Sequence, residues 1–177
     1  MTEETFSDLG RVEAIAQLYE GTPYKPFQSS WFETDGKSCI GSCSRTFIEG
    51  MDFDLIYFPL KHLGYKCVVA VIGELYAEMS HPRTLDVRLG ISAKLDFPQI
   101  KELWEGMVTA AREHGCKQVT LDMSPSHNGL TISVSATGET SLLMARRRPA
   151  AKSMDLICVS GNLGAAFMGF QVLEREK

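Results

Sequence analysis

Apolar positions recur along the chain in two rhythms, and the switches between them mark the elements. From Pro59 to about Ser80 the apolar residues are Leu60, Leu63, Cys67, Val68, Val71, Ile72, Leu75 and Met79. That three-to-four-residue spacing predicts a helix with one broad, deeply buried face. Pro59 suits the first turn, whose amides have no partner inside the helix, and Pro82 lies just past the end. A second helix is predicted over 98–114, with Ile100, Leu103, Trp104, Met107, Val108 and Ala111 inward and Gly115 as its C-terminal cap. A weaker pattern over 5–19 runs through Val12, Ile15 and Leu18 until Gly21 and Pro23 stop it. A last helix is expected in "NLGAAFMGFQVLEREK", carrying Leu163, Ala166, Phe167, Phe170 and Leu173.

Between the helices the rhythm drops to two. In "RTLDVRLGIS", Leu85, Val87, Leu89 and Ile91 face one way and Asp86 and Arg88 the other, which is the signature of a half-buried strand. "SSWFETDGKSCIGSCS" reads as a hairpin because Asp35-Gly36 favours a tight turn. "VTLDMSPSHNGLTISVSATGE" also reads as a hairpin, with Asn128-Gly129 in its turn. "FIEGMDFDLIYF" is expected to be a loop and a short strand, and "DLICVSG" a short buried strand. Helices and strands alternate while hairpins intervene. This predicts an α+β fold: a mixed, mostly antiparallel sheet with helices packed on one face, in a single domain over 1–177.

Composition narrows the function classes. Apolar residues make up 44% and charged residues 23%, with a formal net charge of −4. That balance argues against a nucleic-acid surface, and Arg146-Arg147-Arg148 reads as a solvated loop. The acidic N-terminus has no apolar signal-peptide core, and no apolar run approaches the roughly 20 residues that span a bilayer. The expectation is a cytoplasmic protein with neither membrane nor nucleic acid as partner. The five cysteines are scattered, and no second pair lies near Cys39 and Cys43 to complete a zinc site.

Three stretches could carry chemistry: the acidic loop with Glu49, Asp52 and Asp54, then Glu74 inside an apolar helix, then Asp122 near a strand end. Carboxylates from separate elements could together hold Mg²⁺, which takes few protein ligands and leans on substrate phosphates. Spacing alone favours the plainer reading, in which they are solvated loop charges and a helix-edge charge. Gly161 and Gly164 near a helix start could cradle an anion or serve tight helix–strand packing. No histidine has an evident nucleophilic partner, so no catalytic residue is assigned.

Two stretches, "FIEGMDFDLIYFPLKHLGYKCVVAVIGELYAEMSHP" and "DLICVSGNLGAAFMGFQVLERE", resemble the thiamine-monophosphate kinase family. That family shares a superfamily with aminoimidazole ribonucleotide synthetase, selenophosphate synthetase and the hydrogenase maturation protein HypE. The resemblance covers about Phe47 to the end. It implies the fold of the synthetase's N-terminal domain, with ATP and Mg²⁺ as cofactors and transfer of the ATP γ-phosphoryl group to thiamine monophosphate.

This sequence departs from the family at most charged positions. Cys43-Ser44-Arg45 stands for Thr-Thr-Asp, which puts a cation where a metal-binding carboxylate is expected. Glu49-Gly50-Met51-Asp52-Phe53 stands for Glu-Gly-x-His-Phe, and Val71-Ile72-Gly73-Glu74 for Asn-x-Ser-Asp. Thr120-Leu121-Asp122 stands for Gly-Gly-Asp, and Gly161-Asn162-Leu163-Gly164 for Gly-Asp-Leu-Gly. The resemblance therefore implies Asp122 and Glu74 as vestigial metal residues. Glu49, Asp52, Gly161, Asn162 and Gly164 fall on the substrate or nucleotide side. It also implies a catalytically degenerate domain with a binding or regulatory role, against the alternative of the Mg-ATP-binding half of a kinase. The implied partners are a second copy docked through the sheet, and a full-length relative or the C-terminal half that is absent from this sequence.

Overall fold

The computed structural model describes residues 9–26, 31–146 and 151–175. The chain, expected to be one domain over 1–177, divides into two compact units, 1–30 and 31–177. In the first, α1 (Arg11–Tyr19) follows Gly10, and Ala14 is its one buried residue. The part of the predicted 5–19 helix before residue 9 lies outside the described residues.

The second unit carries a five-stranded sheet in the order β1-β2-β5-β3-β4. The strands are β1 (Trp31–Glu33), β2 (Ser38–Ile48), β3 (His81–Ser92), β4 (Gln118–Ser126) and β5 (Thr131–Ser141). The first predicted hairpin forms: Trp31 pairs with Gly41, and Asp35 Oδ1 accepts the amides of Lys37 and Ser38 to close the turn. All neighbouring strands are antiparallel except β3 and β4, which are parallel.

The second predicted hairpin does not form. β4 and β5 follow each other in the chain, yet β3 lies between them. Two facts explain the split. Leu130, just past Asn128-Gly129, gives its carbonyl to the Glu49 amide at 3.0 Å and its amide to Glu49 Oε2 at 2.6 Å. The start of β5 is thereby tied to β2, leaving its other edge for β3. Pro125 cannot donate to a ladder and suits β4 to the sheet's edge.

Helix α2 (Leu60–Ala77) packs on the sheet, and α3 (Phe97–Glu113) packs against α2. Their inward residues share one core with Leu85, Val87 and Leu89 of β3 and with Ile132, Val134 and Ala136 of β5. The opposite sheet face is polar: Thr46 bonds Ser133 at 2.9 Å, Thr84 bonds Thr137 at 2.7 Å, and Thr120 donates to Asp86 at 2.6 Å. α3 starts with a capping box, in which Asp96 accepts the Gln99 amide while the Gln99 side chain accepts the Asp96 amide. The two helices cross where Gly64 and Gly106 let backbones touch. A Cβ at Gly106 would overlap the Lys61 carbonyl, and one at Gly64 the Leu103 carbonyl.

Two short helices complete the unit, α4 (Leu142–Arg146) and α5 (Ala165–Arg175). Arg146 reaches Glu33 at 3.2 Å, whereas Arg147 and Arg148 of the expected basic loop lie outside the described residues. Two expected strands are not strands. "DLICVSG" is irregular and exposed, and the stretch after Phe47 makes only an isolated Glu49–Phe53 bridge before turning. The first lacks any described neighbour to pair with. The second is turned aside by Asp54, whose Oδ1 accepts the Ile56 amide. Among the described residues, no helix is long and apolar enough to cross a membrane.

Two thiols, the half-buried Cys43 and the buried Cys67, give a pH expectation. Burial pushes the Cys43 thiol from its ordinary 9.0 up to about 11, with Glu74 and Glu78 adding to the rise. Burial also pushes Cys67 up to about 12. A thiol raised on folding favours the folded state fully below pH 9, and that stability is lost as pH rises toward the folded values. Urea midpoints measured from pH 8 upward are therefore expected to fall between about pH 9 and 12. Cys43→Ser with Cys67→Ala should flatten that fall, and an unchanged slope would refute the assignment.

Candidate functional site

The structure separates the two carboxylates that the resemblance groups as metal residues. Asp122 lies on β4 in register with Arg88 of β3. The Thr120–Asp86 bond places these alternate positions of β3 and β4 on the polar open face. Asp122 Oδ1 accepts the amide of its neighbour Met123 at 2.9 Å. Glu74 lies on the other side of the sheet. It is an exposed residue of α2 that acts electrostatically on Cys43, whose Sγ donates to the Val71 carbonyl at 3.2 Å. Three strand spacings of about 4.8 Å each and the thickness of the sheet lie between them.

The loop carboxylates are engaged in holding the loop. Glu49 seats the β5 start, as above, and its carboxylate lies where a Cβ on Gly129 would collide, which fits that glycine's φ of 97°. Asp52 Oδ2 accepts the Ile48 amide at 2.9 Å, and its Oδ1 lies 3.8 Å from Arg45. The Arg45 guanidinium sits 5.2 Å from the centroid of the Phe47 ring. Arg45 thus points to the helix-covered side and neutralises a loop carboxylate. Among the described residues, no three His, Cys, Asp or Glu side chains gather into a metal-holding group. Asp122 and Glu74, the pair that the resemblance implies for Mg²⁺, are thus not brought to one point.

A cleft of about 580 Å³ does bring part of the predicted set together. One wall is the loop Gly50–Asp54, so Asp52 and Asp54 border it, and the other is the first turns of α5 with Ala166, Phe167 and Phe170. Helix α5 is seated by aromatic contacts: the Phe170 ring meets Tyr57 edge-on at 5.2 Å and stacks on Phe58 at 6.4 Å. Gly161 and Gly164 adopt φ of 86° and 87°, a conformation that favours glycine and turns the chain into α5. Asn162 is exposed between them.

Lys66 completes the cleft, with its ammonium 4.4 Å from the centroid of the Phe58 ring. Sequence reading passed over Lys66. Its signal was weak, because it is one of several polar positions in the first turns of α2, with Lys61 and His62. Arg88 was seen as a polar strand position, but not as the neighbour of Asp122. An aromatic floor, one ammonium and flanking carboxylates suit a small ring-bearing ligand with a charged tail.

Comparison with known proteins agrees with this fold. The chain is 28% identical over 134 residues to the thiamine-monophosphate kinase of Bacillus subtilis, a match covering 76% of this chain and 41% of the relative. The AaThiL structure complexed with AMPPCP and TMP superposes with a TM-score of 0.81 at 21% identity, covering 100% of this chain and 56% of that one. A thiamine monophosphate kinase structure from Aquifex aeolicus gives 0.64 at 18% identity, covering 74% and 44%. The chain thus spans about two fifths of the length of its curated relatives. The family model for AIR synthase related protein, N-terminal domain, matches residues 31–140, which is more than half of the chain, and the chain belongs to that family.

Proposed function

We propose that this chain is a ligand-binding domain of the thiamine-monophosphate kinase type, taking a nucleotide or a thiamine-related phosphate and acting in a binding or regulatory role. The observation that carries this reading is the separation of Asp122 from Glu74, with Arg88 in register with the first and Arg45 held against Asp52. Phosphoryl transfer needs charge neutralisation around one point, and these groups lie on opposite sides of a sheet. The cleft beside Lys66 is the place for the ligand. The proposal includes a homodimer through the sheet. Its support is the free edge of β4, whose Leu121 and Met123 are 38% and 53% exposed beside a hydroxyl-rich face.

Calorimetric titration with a non-hydrolysable ATP analogue and with thiamine monophosphate, each with and without Mg²⁺, tests this. We expect binding that Lys66→Met weakens and that Asp122→Asn leaves unchanged. No heat with either ligand at millimolar concentration would sink the ligand-binding reading. A second reading has a specific support, the superposition of the whole chain on the AMPPCP-bound AaThiL structure. It makes this chain the Mg-ATP-binding half of a kinase. Magnesium-dependent binding abolished by Asp122→Asn would favour it instead.

A further inference from the structure

A second cavity, of about 550 Å³, lies at the end of the sheet where α2 runs into β3, and it shares no residue with the Lys66 cleft. Its size falls within the range of small-molecule sites, roughly 300–1,000 Å³. Three large apolar side chains line it, Tyr76, Met79 and Met144, and all are exposed. Two of them are held by neighbours. The Tyr76 hydroxyl lies 3.1 Å from His114 Nδ1, and Ser141 Oγ accepts the Met144 amide at 3.2 Å. Met79 sits at a φ of 58°, in the left-handed region. A residue with a Cβ is strained there, whereas glycine closes a helix end without that strain. The chain thus keeps a methionine where backbone geometry alone favours glycine. The polar part of the wall is an ion pair. Arg83 Nε donates to Glu139 Oε2 at 3.1 Å, and Nη2 lies 3.1 Å from the same oxygen. Among the described residues, nothing engages Glu139 Oε1 or Arg83 Nη1. Ser80, 1% exposed in the same wall, carries an Oγ without a hydrogen-bond partner among the described residues.

We infer that this cavity binds a free α-amino acid with an apolar side chain, at a site separate from the Lys66 cleft. Charge selects the class. An anion alone meets Glu139 and a cation alone meets Arg83, and like charges in contact repel. A nucleotide brings several negative charges to an arginine that Glu139 already neutralises. A ligand with a carboxylate and an ammonium on one carbon suits both members of the pair. Arg83 Nη1 is free to donate to the carboxylate, and Glu139 Oε1 is free to accept from the ammonium. The existing Arg83–Glu139 contact uses other atoms and can persist. Met79, Met144 and Tyr76 then cover the ligand's apolar side chain, and unbranched methionines adapt to its shape. The Ser80 hydroxyl marks the same wall, because buried polar groups in folded proteins are otherwise hydrogen-bonded.

Calorimetric titration of the intact chain with L-methionine and with L-phenylalanine tests this. We expect saturable one-to-one binding of each at about millimolar concentration or below. The analogue of methionine without its amine and the analogue without its carboxylate should each bind about tenfold more weakly. Arg83→Gln and Glu139→Gln should each weaken methionine binding by a similar factor. Both should leave the fold intact, because these side chains are half-exposed. Met79→Gly separates binding from structure. It relieves the backbone, so the urea midpoint should stay or rise, while methionine binding falls about tenfold. Absence of saturable heat with both amino acids at about 10 mM overturns the inference. So does equal binding of the two single-charge analogues, or binding indifferent to Arg83→Gln and Met79→Gly. Nucleotide titration reads the Lys66 cleft, so failure of the ligand-binding reading and failure of this site are distinguishable.

Discussion

Gly106→Val should cost the second unit about 3 kcal/mol of stability or more, read as a drop in the urea midpoint at unchanged slope. Gly106 is buried on α3, and a side chain there has nowhere to go, because a Cβ would overlap the Lys61 carbonyl of α2. The obstacle is backbone, which cannot swing aside as a side chain tip can. The two helices must separate, and Leu103, Met107 and Ile72, which fill the core beside them, lose contacts together. Gly73→Ala on α2 is the matched control. It has nothing within 4 Å of a new Cβ, so it should gain about 0.5–1 kcal/mol from the smaller entropy of the unfolded chain. A Gly106→Val chain as stable as its parent would mean that the helices do not cross at this point.

Val87→Asp should be comparably severe, at about 3–5 kcal/mol, because it leaves an uncompensated charge in the core. Val87 is 1% exposed on β3, between Val134 of β5 and Leu121 of β4. The adjacent Arg88 faces the polar side, and Arg88→Asp is expected to change stability by less than about 1 kcal/mol. The contrast measures the two faces of one strand within a single residue step, using thermal or urea denaturation of both variants. Equal effects would refute the register of β3 against β5. If Arg88→Asp instead abolishes self-association with the monomer intact, the open face belongs to the proposed dimer seam.

How legible each element was depended on where its partners lie. Helices α2 and α3 came within a residue or three at each end, because a helix satisfies its backbone internally and writes its burial as a local period. Strand β3 was equally plain, since its alternation of Leu85, Val87 and Leu89 with Asp86 and Arg88 reports one covered face. Strands β4 and β5 were individually visible, but their pairing was not. Asn128-Gly129 speaks for a turn and is silent about a third strand entering between the arms. That entry depends on Glu49, some 80 positions away in sequence, taking the Leu130 backbone (|i−j| = 81).

The candidate site divides the same way. The sequence by itself determined the family, the helix faces, the polar and apolar sides of β3 and the presence of each carboxylate, because these are local patterns of residue type. Only the tertiary structure decided that Asp122 and Glu74 lie across a sheet from each other, that Arg45 serves Asp52, and that Lys66 joins the aromatic cleft. Those relations are set by which strands are neighbours and which face each helix covers. Such choices minimise exposed apolar surface and unpaired backbone over the whole chain at once, and no window of residues contains them.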